Sequence, residues 1–475
     1  MRMEKDLLGE LPVPDDKYYG VQTLRSLHLN PVSYVRMHHY PDSITALAEI
    51  KIACAEANRA IGAMEADVAD AVVAAAREIV DGKYADQFQV DMFSGGGGIA
   101  VHMNINEIIA NRANEILTGS KGYDRVHPNT HVNMCQSTND VVPSAMRLVI
   151  YRGIEKLCAS VKVLEDALTA KAGEFAHDVK LGRTCLQDAL PMTFGQEFSG
   201  YAAVVRRQRQ RLLACMPEWL TLTLGGTAIG TCLGVMPGFV PEVYRRLRAN
   251  VHPDIRPDEN FFDGMQNADG YLHLSGIVKC LAVSCGKIAY DLKLLSSGPF
   301  AGFGELVLPA VQPGSSIMPG KVNPALPEMI IQIAQQVCGN DTVLTMAVEK
   351  GELDLNIAEQ ILLKCSADSL SLLEKALPIF AEKCVAGIAV NRAKALHDAE
   401  SSPALVMIIS MLFGYKEGLA VAGLAAEKGI GVKAAAVASG LVTSEQADEL
   451  FNVLTLTDSE ATARLLEKYA SIRRI

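Results

Sequence analysis

The sequence predicts an all-α protein organised around long helices, on three observations. Apolar residues recur at steps of three and four over long stretches, polar links rich in Gly and Pro separate those stretches, and alternation of strand-like with helix-like segments is weak. From about Pro143 to Ala176, the residues Ile154, Leu157, Val161, Leu164 and Leu168 keep one stripe on one helical face. Thr138, Asn139 and Asp140 stand ahead of it as capping residues, and Pro143 suits a first turn. About 30 residues of helix span about 45 Å, which suits a bundle better than a small globule. Further long helices are predicted over about 271–295 (Ile277, Leu281, Ile288, Leu295), 325–348 and 361–385 (Leu362, Leu370, Leu373, Leu377). The expected organisation is a mostly helical N-terminal domain over 1–140, a central antiparallel bundle over 141–392, and a small helical domain over 393–475, where Pro403 and Gly414 shorten the pattern.

The bulk chemistry narrows the function. The 475 residues are 49% hydrophobic and 21% charged, enough for a large core. Charge-free apolar runs of about 18 residues are absent, so no membrane span is expected. The opening MRMEKDLLGELPVPDD carries acids in place of a basic-then-apolar leader, which makes the cytoplasm the expected location. The 11 cysteines include no CxxC, and several fall inside apolar helical patterns, as reduced buried thiols do. A net charge of −10 without a basic stripe argues against nucleic acid as a partner, though an acidic protein can still carry a locally positive pocket for a small anion. Neither a cofactor nor a metal is expected: the histidines show no ligand spacing, and the run Gly95 to Gly98 lacks the Lys-Ser/Thr pair of a phosphate cradle, so it reads as a tight turn.

The most informative stretch is PGSSIMPGKVNPALPE, from Pro313 to Glu328, within a loop expected over 312–325. Gly314, Pro319 and Gly320 interrupt regular structure around Ser315 and Ser316, with Lys321 and Asn323 following. A glycine-hinged loop can open and close. A serine on it acts as a base only if backbone N–H groups and cations stabilise its alkoxide. Lys321 offers a point charge for a carboxylate and Asn323 a directional donor. By composition alone, a flexible linker is the simpler reading.

That segment closely resembles the signature of the aspartase/fumarase superfamily, and the resemblance extends along the chain. KDLLGELPVPDDKYYGVQTLRS, GGGGIAVHMNINEIIANRANEI, VNMCQSTNDVVPSAMRL, GRTCLQDALPMTFGQEF, LGGTAIGT and DLKLLSSGP are similar to family blocks in the family's order. CGNDTVLTMAVEKGELDLN and GLVTSEQADELF favour aspartase over fumarase. The resemblance implies a three-domain aspartase/fumarase-like fold whose central helices form the core of a homotetramer, each active site being assembled from three subunits. It implies a carbon–nitrogen lyase that eliminates ammonia or an amine from an aspartate-like amino acid. By position, Ser315 is the base on the Cβ proton, Ser316 a donor to the intermediate, and Lys321 and Asn323 the holders of the α-carboxylate. Ser137 and Thr138 bind the Cβ group, Asn139 and Thr184 face the leaving amine, and Glu328 is the position that supports a histidine in fumarases. Ser137 to Asn139 also precede a helix, where free N–H groups favour an anion.

Three departures from the family pattern bear on substrate. Ile99 and Ala100 follow Gly98 where Thr and another polar residue are usual, Cys185 replaces the His or Gln of GRTH or GRTQ, and GTCLG (230–234) lacks an asparagine. Loss of a donor to a buried charge costs roughly 1.5–3 kcal/mol. Ile99 adds apolar surface beside the Cβ group, and Cys185 enlarges the amine side. These changes point to a bulkier or less anionic Cβ group or a substituted amine, as in ergothionase, which expels trimethylamine from a betaine bearing a thioimidazole. Drift with compensating neighbours is the other account and leaves plain aspartate as substrate. A fumarate hydratase is disfavoured because Cys185 removes the imidazole near the leaving oxygen. Retention of Ser315, Lys321, Asn323, Ser137 and Thr138 together argues against a non-enzymatic helical scaffold.

Overall fold

The computed structural model describes residues 1–474, and helices carry most of its regular structure, as the periodicity predicts. A hairpin of β1 (Arg2–Asp6) and β2 (Gly9–Val13) precedes α1 (Val21–Leu29), α2 (Pro41–Ala60), α3 (Ala66–Val80) and α4 (Ile99–Thr118). Next come α5 (Thr138–Glu174), a second hairpin of β3 (Val179–Thr184) and β4 (Gln187–Thr193), α6 (Phe194–Cys215), α7 (Phe239–Asn250) and α8 (Phe261–Gln266). Three long helices follow, α9 (Asp269–Leu295), α10 (Ala325–Glu349) and α11 (Glu359–Lys383), and then six shorter ones from α12 (Arg392–Ser401) to α17 (Ser459–Lys468).

The longest helix starts earlier than its sequence pattern suggests. α5 has 37 residues and spans about 56 Å. Ser137 caps it: its Oγ accepts the Asn139 N–H at 3.3 Å, while the Asp140 carboxylate accepts the Ser137 N–H at 2.9 Å. The two bonds tie Ser137 to the first turn from both sides. Thr138, Asn139 and Asp140 are therefore the first turn and not the caps, and Pro143 lies inside the helix, near enough to its start to forfeit a single ladder bond.

The chain forms two compact units, each drawn from three stretches of sequence. The first comprises Met1–Ala159, Gln210–Cys280 and Gln335–Glu374. Here Gly153 of α5 meets α11 closely, since a Cβ on it would lie 2.9 Å from Leu370 Cδ1. Asn340 of α10 donates to Ser369 of α11 at 2.9 Å, and Asp341 accepts from Ser275 and Lys279 of α9 at 2.7 and 2.5 Å. α9 is long and apolar enough to cross a membrane by length and composition, although no charge-free run announces it; half of its most apolar window is buried, and these polar contacts belong to a bundle helix.

The second unit comprises Ser160–Arg209, Leu281–Ala334 and the chain from Lys375 onward. Its C-terminal helices enclose a core of Leu405, Ile409, Leu412, Val421, Ala435 and Leu450, which Val179 of β3 joins. Arg392 pairs with Asp178 at 2.6 Å, and Glu165 of α5 is held by Arg206 and Arg209 of α6 at 2.8 and 2.9 Å. Most of the cysteines are buried, as expected; Cys185 and Cys280 are exposed.

Candidate active site

Residues 312–324 form a loop that ends where Ala325 opens α10, and it is closed on itself by backbone geometry. The Gly314 N–H donates to the Lys321 carbonyl at 2.8 Å, and Asn323 Nδ2 donates to the Gly314 carbonyl at 2.8 Å. Glycine is required there, because a Cβ would stand 2.6 Å from Asn323 N and 2.8 Å from the Lys321 carbonyl oxygen. Within this clasp the backbone N–H groups of Ile317 and Met318 converge on Ser315 Oγ at 3.3 and 2.9 Å. Two donors aimed at one hydroxyl oxygen favour its negative form. Ser315 is half-buried, while Ser316 and Lys321 are exposed. Asn323 commits one amide hydrogen to closing the loop and retains the second. Glu328, in the first turn of α10, pairs with Lys293 at 2.8 Å.

Thr184 and Cys185 sit at the tip of the β3–β4 hairpin. Thr184 pairs with Gln187, which leaves Cys185 and Leu186 as a two-residue turn with φ of 53° and 59°. Positive φ at both positions is the primed turn that matches strand twist, here made without the usual Asn-Gly. The tip is exposed, and Arg183 behind it is anchored by an ion pair with the buried Glu305 and by stacking 4.6 Å over Phe303.

The third group gathers at the starts of α4 and α5. Gly95, Gly96, Gly97 and Gly98 all have positive φ, 65°, 69°, 58° and 77°, so the run is the tight turn expected, and it delivers Ile99 as the first residue of α4. A Cβ on Gly98 would lie 3.2 Å from Val142 and 3.5 Å from Thr138 Cγ2, so the two helix starts abut and bring Ile99, Ser137, Thr138 and Asn139 into one neighbourhood. Asn139 Nδ2 donates to the Ala228 carbonyl at 2.8 Å, which leaves Oδ1, an acceptor suited to an ammonium. Asp140 fixes the whole turn: besides Ser137 it accepts the N–H groups of Gly225 and Thr227, each at 3.0 Å. Burial pushes its carboxyl up to about 7, against those three donors and the charge of Lys51.

Four residues that the sequence reading did not assign complete this region: Lys51, His102, Asp140 and Glu359. Lys51 is buried in α2, and its Nζ lies 2.7 Å from His102 Nε2, 3.1 Å from Asn133 Oδ1 and 2.8 Å from Gln136 Oε1. His102 Nδ1 lies 2.8 Å from Thr138 Oγ1. Glu359, at the start of α11, is 2% exposed with neither carboxyl oxygen hydrogen-bonded, and burial pushes it up to about 7. A Cβ on Gly97 would lie 3.9 Å from it. The signal was available as polar residues interrupting apolar helical runs, Lys51 in IKIACA and His102 in IAVHMNI.

Residues 9–339 match the family model described as Lyase. The aspartate ammonia-lyase of Pseudomonas aeruginosa is 44% identical over 433 residues, which is 91% of this chain and 91% of that one. Among solved structures, fumarate lyase:delta crystallin from Brucella melitensis bound to cobalt superposes with a TM-score of 0.93 at 40% identity, covering 96% of this chain and 99% of that one. Recombinant class II fumarase from Schistosoma mansoni gives 0.91 at 34% identity, with the same coverage of 96% and 99%. Similarity in both sequence and shape thus covers more than nine-tenths of the chain, the family match spans the turn that presents Ile99 and the loop that carries Ser315 alike, and the chain belongs to the Lyase family, within the aspartase/fumarase superfamily, as a carbon–nitrogen lyase.

Proposed function

We propose that this enzyme eliminates ammonia from L-aspartate to give fumarate, with the Ser315 alkoxide as the base. The observation that carries the reading is the pair of backbone N–H groups converging on Ser315 Oγ at 3.3 and 2.9 Å. Ser315 takes the proton from Cβ, the electron pair left behind is delocalised into the adjacent carboxylate, and it then forms the double bond as the Cα–N bond breaks and ammonia leaves. Cβ–H is a very weak acid, so the dianionic intermediate needs preformed donors, each worth about 3–4 kcal/mol. Ser316 supplies one. Ser137 and Thr138 hold the Cβ carboxylate, Lys321 and Asn323 the α-carboxylate, and Asn139 with Thr184 receives the amine. Cys185 borders the amine side and Ile99 the Cβ group, while Glu328 is a supporting residue. The active unit is a homotetramer in which each site draws on three subunits, and the three-domain division at about 140 and 392 follows the family plan.

Named aspartate ammonia-lyases at about 40% identity support aspartate as the substrate, and the trimethylamine-releasing, hydratase and scaffold readings are not favoured. A substrate with a less anionic Cβ group or a substituted amine remains a second reading, favoured by Ile99, which is 44% exposed at the start of α4. One absorbance assay separates the two. Fumarate formation from L-aspartate at a kcat/KM of about 10⁴ M⁻¹s⁻¹ or more supports the first. No fumarate from L-aspartate, with turnover of N-substituted or betaine analogues, overturns it in favour of the second.

A further inference from the structure

Resting on the reading that Thr138 binds the anionic group on Cβ, we infer that His102 and Lys51 are positioning residues that orient the Thr138 hydroxyl as a hydrogen-bond donor to that group. An ammonium has three donors and accepts nothing. Lys51 Nζ faces three acceptors: His102 Nε2 at 2.7 Å, Asn133 Oδ1 at 3.1 Å and Gln136 Oε1 at 2.8 Å. The two amides cannot be turned round. Asn133 Nδ2 already donates to the Gln136 carbonyl at 3.1 Å, and Gln136 Nε2 to the carbonyls of Val132 and Met134 at 3.1 and 3.0 Å.

With Lys51 charged, His102 Nε2 must carry the lone pair, and the neutral imidazole holds its hydrogen on Nδ1. Burial keeps His102 neutral by holding it well below its usual range. The Nδ1–H then donates to Thr138 Oγ1 at 2.8 Å. Thr138 Oγ1 has become an acceptor on that side, so its own hydrogen is directed away from His102. The half-exposed hydroxyl stands in the first turn of α5, where the helix N-terminus already favours an anion.

Burial brings Lys51 down to about 7, and the titratable groups facing it are Cys54 one turn along α2, Asp140 from α5 and His102 from α4. Cys54 stays neutral because burial raises its thiol far above the usual range, whereas Asp140 favours the ammonium. A neutral amine would accept from His102 and turn the Thr138 hydrogen inward. A carboxylate bound at Thr138 selects the charged arrangement, and its binding energy is coupled to the Lys51 proton.

The test uses the intact enzyme with two unreactive ligands: succinate, which has both carboxylates, and butyrate, which lacks the second. Competitive inhibition is measured for wild type, Thr138→Val, His102→Phe, the double variant and His102→Gln. Thr138→Val is expected to weaken succinate by about tenfold and butyrate little. His102→Phe is expected to do the same, and the double variant to bind no worse than Thr138→Val alone, because His102 acts through the threonine. His102→Gln offers an oxygen to Lys51 and an N–H to Thr138, preserving the order of donors, and is expected to stay within about threefold of wild type. Additive losses in the double variant, or equal losses for succinate and butyrate in His102→Phe, would overturn the positioning role. If His102→Phe does not fold, His102→Gln decides: wild-type-like preference for succinate supports the role and its loss overturns it. Unchanged succinate binding in Thr138→Val sinks instead the underlying reading of Thr138.

Discussion

The loop that carries Ser315 and the turn that carries Thr138 are built on opposite plans. The loop is largely exposed, and backbone and amide hydrogen bonds around Gly314, Ser315, Lys321 and Asn323 shape it. The Thr138 turn is tied from below by Asp140, Lys51 and His102, all buried, with three acceptors around the Lys51 ammonium, one for each of its N–H donors. On the proposed mechanism, the difference follows from the chemistry asked of each. A base must approach a carbon, and a mobile loop lets substrate in before it closes. Donors that stabilise a developing charge are useful only if they need not reorganise when it appears. On the proposed mechanism, exposure is therefore placed where a proton is taken and rigidity where charge is received.

The sharpest way to break this comparison is to remove the proposed base. Ser315→Ala is expected to lower kcat by on the order of 10³-fold or more while circular dichroism and oligomeric state remain those of wild type. A rate near wild type would show that the loop serves only as a cover. Next in size is Asp140→Asn, in the rigid region. The amide can accept from fewer of the three N–H groups and brings a donor into a site without an acceptor, so about 2 kcal/mol of stability is expected to be lost. Urea unfolding measures it, and an unchanged midpoint would remove Asp140 as the anchor of the turn.

Gly314→Ala makes the complementary test in the exposed region. The added methyl meets Asn323 N and the Lys321 carbonyl and must open the clasp, which carries Ser315 away from its two donors. About a tenfold fall in kcat is expected, with the urea midpoint unmoved because little apolar surface depends on the loop. A loss of stability like that of Asp140→Asn would mean that the loop is as rigidly built as the turn.

How much of this was legible in the sequence depends on how far apart the partners lie along the chain. The Ser315 loop could be read because its glycines, serines, lysine and asparagine are consecutive and the geometry is local. The long helices could be read because their apolar stripes repeat over many turns; only the start of α5 was misplaced, since Pro143 imitates a first-turn proline while Ser137 and Asp140 had already begun the helix. The Lys51–His102–Thr138 chain could not be read. Its members come from three helices, and each alone is a polar residue in an apolar stretch, which has many ordinary explanations. The turn at Cys185 and Leu186 was hidden because neither residue is a customary choice for positive φ, so the hairpin is imposed by its strands and by Arg183 and Glu305 behind them.

Glu359 supplies the smallest effect and the finest probe of the rigid side. Its folded-state carboxyl titrates near 7, above the usual value of about 4.5, because burial disfavours the charge more than the start of α11 favours it. Between those two values the folded protein binds more protons than the unfolded chain, so stability is fully present below about 4.5 and declines as pH rises through about 7. Glu359→Gln has no proton to lose and should remove that part of the decline. Relative to wild type, the variant is expected to gain about 1 kcal/mol between pH 5.5 and pH 6.5, read as the difference of the two urea-unfolding curves at each pH. Taking this difference cancels the contributions of Lys51, Glu107 and Asp140, which also titrate near neutrality. Parallel pH dependences for the two proteins would mean that Glu359 finds a partner in solution and that the ground beneath the Gly95–Gly98 turn is less fixed than the Lys51 network beside it.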